Sequence, residues 1–96
     1  GDPIYYVPNT FTPDGDEHNN TFTPVFTTGF DPASYHLVLY NRWGECVFES
    51  FSTDQGWDGY YGGIKVEQGT YSYLIQFFDK KASKIMQLNG HVNVIY

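Results

Sequence analysis

Cysteine is nearly missing from this chain; Cys46 is the only one. A lone thiol forms no internal disulfide and no multi-thiolate zinc site, so neither a disulfide scaffold nor a zinc ribbon is available. Basic residues are scarce as well. Five Lys and Arg against eleven Asp and Glu leave a net charge of −6. That balance lacks the basic footprint of a nucleic-acid binder and disfavours an anionic lipid surface. No apolar run approaches the roughly 18 residues of a membrane-spanning helix. The opening Gly1-Asp2-Pro3 has neither the basic nor the apolar stretch of a signal peptide, and it reads as a piece cut from something longer. Helix signals are few, with one Met and little Ala or Leu. Catalytic signatures are missing too. There is no G-x-S-x-G and no phosphate-binding loop, and His18, His36 and His91 show no metal-ligand spacing. These absences point away from an enzyme.

What the chain has in quantity is aromatic side chains: nine Tyr, eight Phe and two Trp. Disordered chains are poor in such residues, so a folded domain is expected. Ten Gly and five Pro punctuate the sequence at short intervals, with β-branched and aromatic runs between them, which is a strand pattern. Strands are expected at 4–7, 21–26, 35–40, 46–51, 70–78 and 84–95. Phe30-Asp31-Pro32 reads as a turn, and 35–51 as a hairpin. Over 70–78, Tyr71, Tyr73, Ile75 and Phe77 share one face. Over 84–95, Met86, Leu88, Val92 and Val94 oppose Gln87, Asn89, His91 and Asn93, the alternation of an antiparallel sheet with one wet side. About seven short strands in roughly 100 residues predict an all-β fold, an immunoglobulin-like antiparallel sandwich spanning 1–96 as one domain. A small barrel is the alternative.

Two stretches carry candidate sites. In the first, Asp14 and Asp16 flank Gly15, with Asn19 and Asn20 just beyond. Calcium prefers six to eight oxygens from such side chains and from turn carbonyls, so these four are candidate calcium ligands. The bland reading is a solvated turn. The pattern is not an EF-hand, because Val25 stands where that loop needs a bidentate Glu. In the second, Trp43 and Trp57 sit beside glycines, where each is expected to cover an end of the sandwich with its N–H bonded to a carbonyl. Asp58 is expected to cap the Gly-rich turn, and Cys46 to pack as a small core hydrophobe.

Five segments together resemble a known family. Val7-Pro8-Asn9-Thr10-Phe11-Thr12-Pro13-Asp14-Gly15-Asp16 is similar to the "PNAFTPNGDG" opening of the gliding-motility-associated C-terminal domain. That domain is also called the type B sorting domain of the type IX secretion system. Leu39-Tyr40-Asn41-Arg42-Trp43-Gly44-Glu45-Cys46-Val47-Phe48 resembles its "FNRWG-x-x-VF", and Gly56-Trp57-Asp58-Gly59 its "GWDG". Gly69-Thr70-Tyr71-Ser72-Tyr73 resembles "G-x-Y-x-Y", and Leu88-Asn89-Gly90-His91-Val92 "L-x-G-x-V". Departures fall at Asp14, Glu17 and Asn20, and in the loops before Gly69 and at 80–83.

The resemblance implies an address rather than a catalyst. Such domains end large secreted or surface proteins of Bacteroidota-type bacteria, including gliding adhesins. The cargo crosses the periplasm, and the folded domain is then read by the outer-membrane export machinery and a PorP/SprF-like partner. Arg42, Trp43, Trp57 and Asp58 are the expected docking residues, since Arg and aromatics are common interface anchors. The competing expectation is a calcium-dependent carbohydrate-binding or adhesin module on the same sandwich.

Overall fold

The computed structural model describes residues 5–13 and 21–96. In chain order the strands are β1 (Tyr5–Tyr6), β2 (Thr10–Phe11), β3 (Val25–Phe26), β4 (Phe30–Tyr40), β5 (Cys46–Ser50), β6 (Tyr60–Tyr61), β7 (Ile64–Lys65), β8 (Gly69–Asp79) and β9 (Lys84–Val94). No helix occurs among the described residues.

The main sheet has the order β2-β9-β8-β4-β5. Its centre is the β8–β9 hairpin, in register without a break from Gly69↔Val94 to Asp79↔Lys84. The alternation expected from the sequence holds. Tyr71, Ile75, Phe77, Val92 and Val94 are buried on one face, while Gln87, Asn89, His91 and Asn93 are exposed on the other. Gly90 stands opposite Tyr73, whose ring lies across it. A large cross-strand neighbour there covers what a glycine leaves bare.

The second layer is thin. It consists of the β1–β3 pair and a bridge between Phe22 and Trp57. Aromatic rings fill the space between the layers. Phe26 packs on Phe77 at 5.0 Å and on Phe30 at 4.8 Å, and Trp57 packs on Phe11 at 5.4 Å and Tyr71 at 5.3 Å. Edge-on and tilted pairs of this kind add to simple area burial. They explain why so small a domain uses so many aromatics: few residues must cover a large sheet.

Several expectations need correction. The all-β, sandwich-like fold stands, with nine strands among the described residues, but it is not wholly antiparallel, because β2 pairs with β9 in parallel. The segment Phe30-Asp31-Pro32 is not a turn before a strand but the start of β4 itself. The register against β8 shifts between Asp31 and His36. There the Asp31 side chain accepts from the Ala33 N–H at 3.1 Å, and the Ser34 hydroxyl donates to the Asp31 carbonyl at 2.6 Å. These are turn-like bonds inside a bulge. Cys46 is exposed rather than buried. Leu39 pairs with Phe48 and Tyr40 with Cys46, so Val47 is the extra residue, and it is Val47 that enters the core.

Candidate functional site

Asn41 ends β4 and builds the turn that follows. Its side-chain Oδ1 accepts from the Trp43 and Glu45 N–H groups, both at 2.9 Å, and its Nδ2 donates to Glu45 Oε1 at 2.9 Å. Its own N–H donates to the Glu45 carbonyl, and the Gly44 N–H donates to the Asn41 carbonyl, each at 3.0 Å. Gly44 closes the turn at φ 79°, a left-handed conformation that suits glycine. The side chains of Arg42 and Trp43 make none of these bonds. They project outward: Trp43 is 76% exposed, and the Arg42 guanidinium sits 4.7 Å from its ring centroid.

The two side chains line a cleft of about 360 Å³. The β6–β7 hairpin contributes Tyr61, Ile64 and Lys65 to the lining, and Glu67 and Tyr71 line it too. Gly62 and Gly63 join the two short strands with φ of 65° and 80°, the signature of a tight two-residue hairpin turn. Ile64 is 72% exposed. The Tyr61 hydroxyl donates to Glu45 Oε2 at 3.1 Å. That bond and the carboxylate's charge push the phenol's pKa upward. Lys65 places its ammonium 4.5 Å from the ring centroid of Tyr96. The Tyr96 hydroxyl in turn donates to the Val66 carbonyl. The cleft thus combines exposed apolar surface with two cations held over aromatic faces, in a protein that is acidic as a whole. Such a surface suits an apolar or aromatic group.

The Gly56-Trp57-Asp58-Gly59 segment serves a different purpose. Trp57 is fully buried, and its backbone exchanges hydrogen bonds with Phe22 at 2.7 and 2.9 Å. Its indole N–H donates to the Tyr60 carbonyl at 3.1 Å. Asp58 Oδ1 accepts from the Tyr60 N–H at 3.0 Å. A Cβ on Gly56 would lie 1.9 Å from Thr23 Oγ1. Gly59 has φ 83°, and a Cβ there would lie 2.7 Å from the Pro13 ring.

Of the four residues expected to dock a partner, the structure brings only Arg42 and Trp43 together in the cleft. Trp57 lies in the core with its N–H on a carbonyl, as its expected place over one end of the sandwich implied, and so offers no surface to a partner. Asp58 is exposed but caps the turn, as its position beside glycine suggested. Trp43 departs from expectation: it covers no end of the sandwich and stands in solvent. Tyr61, Ile64 and Lys65 were missed. The Gly62-Gly63 pair between short apolar segments is the hairpin signal that could have found them. The candidate calcium ligands Asp14, Asp16, Asn19 and Asn20 lie outside the described residues. Among the described residues, no group of three His, Cys, Asp or Glu is placed to hold a metal.

The model of the CHU_C type IX secretion signal domain family matches residues 5–94. The chain belongs to this family. A CHU_C domain is a type IX secretion signal, so the protein that carries it is exported to the cell surface or secreted, and the domain interacts with the secretion machinery. The family is described by its role in export, not by a reaction. No curated protein sequence matches the chain. Among solved structures, the crystal structure of CopC from Methylosinus trichosporium OB3b aligns over 93% of this chain and 84% of that one. Its TM-score is 0.58 at 14% sequence identity, which is a shared fold and nothing more.

Proposed function

We propose that this CHU_C domain is the C-terminal address of a larger cargo protein. After transit of the periplasm, it directs the cargo across the outer membrane and to the cell surface. On this reading it docks on a PorP/SprF-like outer-membrane partner through the cleft of Arg42 and Trp43. One observation carries the docking assignment. Asn41 and Gly44 hold the turn, which leaves a large aromatic and a guanidinium exposed with no role in folding it. Large exposed aromatics beside Arg are typical binding anchors.

The test is a fusion of residues 1–96 behind a fluorescent passenger with an inner-membrane signal peptide. It is expressed in a bacterium with a type IX system, with and without the matching partner. Surface or medium fluorescence that needs both machinery and partner supports the reading. Retention in the periplasm with a matched partner contradicts sufficiency. A glycan-binding module would instead show sugar-dependent quenching of Trp43 fluorescence and no export.

A further inference from the structure

Among the described residues, strand β9 has one side filled and the other largely open. The Asn93 N–H donates to the Asn9 carbonyl at 2.8 Å, and the Ile95 N–H to the Phe11 carbonyl at 3.1 Å. Odd-numbered residues of β9 therefore turn their backbone groups away from β8, since these directions alternate along a strand. The β8 side agrees: the Phe78 N–H reaches Ser34 Oγ on β4 at 2.8 Å, so its β9 partner Ile85 faces outward. Strand β2 covers only Asn93 and Val94. The outward N–H and C=O groups of Ile85, Gln87, Asn89 and His91 thus meet no strand among the described residues.

Natural sheets protect such edges with proline, bulges or inward charges. Strand β9 has no proline and no register shift against β8. Its one charged residue, Lys84, stands at the end. On the core side, Met86 and Leu88 are only half buried along this edge and pack against the core cluster. The turn that enters the strand concentrates positive charge. Lys80, Lys81 and Lys84, three of the chain's five basic residues, are all exposed there.

We propose that the open edge of β9 is a strand-acceptor site. Its occupant is an extended segment of the export partner, with apolar residues on the Met86 and Leu88 side and carboxylates at the end beside Lys80 and Lys84. Main-chain bonds would supply affinity, and the apolar and acidic positions specificity. A second copy of this chain fits less well: β9 carries no acidic residue to meet the lysines, and pairing two copies brings together two charges of −6. The inference rests on the export reading and adds a second contact to it, distinct from the Arg42 and Trp43 cleft.

Asn89→Pro removes an outward N–H and leaves the β8 bonds in place, a substitution that edge strands tolerate. The double variant Lys80→Glu/Lys84→Glu reverses the turn's charge. Asp54→Asn, exposed just after β5 at the far edge of the sheet, is the control. Each is fused to the passenger, checked for an unchanged melting temperature, and assayed for export. The expected result is at least a tenfold loss of export for the first two variants, with the control like the wild type. Wild-type export of both overturns the inference and leaves the export reading intact. Loss with the lysine variant alone overturns strand addition in favour of simple charge attraction. Should Asn89→Pro not fold, slowed hydrogen exchange at the 85, 87, 89 and 91 amides of wild-type domain bound to purified partner decides: protection supports the edge, and unchanged exchange overturns it. If the wild-type fusion itself is not exported, the export reading fails, and this inference falls with it.

Discussion

Arg42 holds its guanidinium 4.7 Å from the ring centroid of its neighbour Trp43, and both side chains stand clear of the turn that carries them. The chain's other tryptophan, Trp57, is fully enclosed. The two residues sit in similar glycine-flanked motifs, yet one is surface and the other is core. Trp57→Ala should cost about 3–5 kcal/mol, as a large core residue cut to a methyl. Trp43→Ala should change stability by no more than about 0.5 kcal/mol. Urea titration of both variants checks the contrast.

Asn41 is the residue that holds the turn. Its carboxamide accepts from two backbone N–H groups and donates to Glu45. Asn41→Ala should destabilise by about 1–2 kcal/mol through the lost bonds. In a domain of this size that is a fall of roughly 4–16 °C in melting temperature, readable by calorimetry. Asn41→Asp should keep the two accepting bonds but set a second carboxylate against Glu45, so it should destabilise as well.

Gly59 faces two constraints where Gly44 faces one. Both have positive φ, but only Gly59 would bring a Cβ within 2.7 Å of Pro13, while nothing lies within 4 Å of a Cβ on Gly44. Gly44→Ala should cost about 1–2 kcal/mol from the backbone alone. Gly59→Ala should cost more, because the Pro13 ring must also move. Equal losses in chemical denaturation would contradict this packing.

Tyr35 buries its hydroxyl with no hydrogen-bond partner among the described residues. Burial raises its pKa from 10.0 to about 12. The folded state therefore keeps this proton where the unfolded state has lost it. The associated stability is complete below pH 10 and declines as pH rises from about 10 towards 12. Tyr35→Phe should flatten that alkaline decline. At neutral pH it should be neutral or stabilising, because it removes an unsatisfied polar group. Melting curves from pH 8 to 11.5 for both proteins test the sign.

The strands that alternate were legible in sequence. Faces assigned to Tyr71, Ile75, Phe77, Val92 and Val94 are the faces observed, because period-two burial leaves its mark on every second residue. Of the two-residue strands, β1 and β3 fall inside the stretches expected at 4–7 and 21–26, whereas β2, β6 and β7 were not legible. Thr10 and Phe11 pair with β9 only through tertiary placement, and two residues carry no period. Cys46 was misplaced for a related reason: a single-residue bulge at Val47 reverses which side chains face inward. The conspicuous motifs divided by role only in three dimensions. The glycines and Trp57 of one segment fold the molecule, whereas Arg42 and Trp43 of the other stay exposed. Nothing in residue type separates the two.

The most direct test of the docking account is surface fluorescence of the passenger fusion bearing Arg42→Ala and Trp43→Ala, singly and together, beside the wild type and with melting temperature measured on each purified domain. The cleft account predicts an unchanged melting temperature and a loss of export of at least tenfold in the double variant, since interface energy concentrates in a few such residues. Wild-type export by the folded double variant would contradict it.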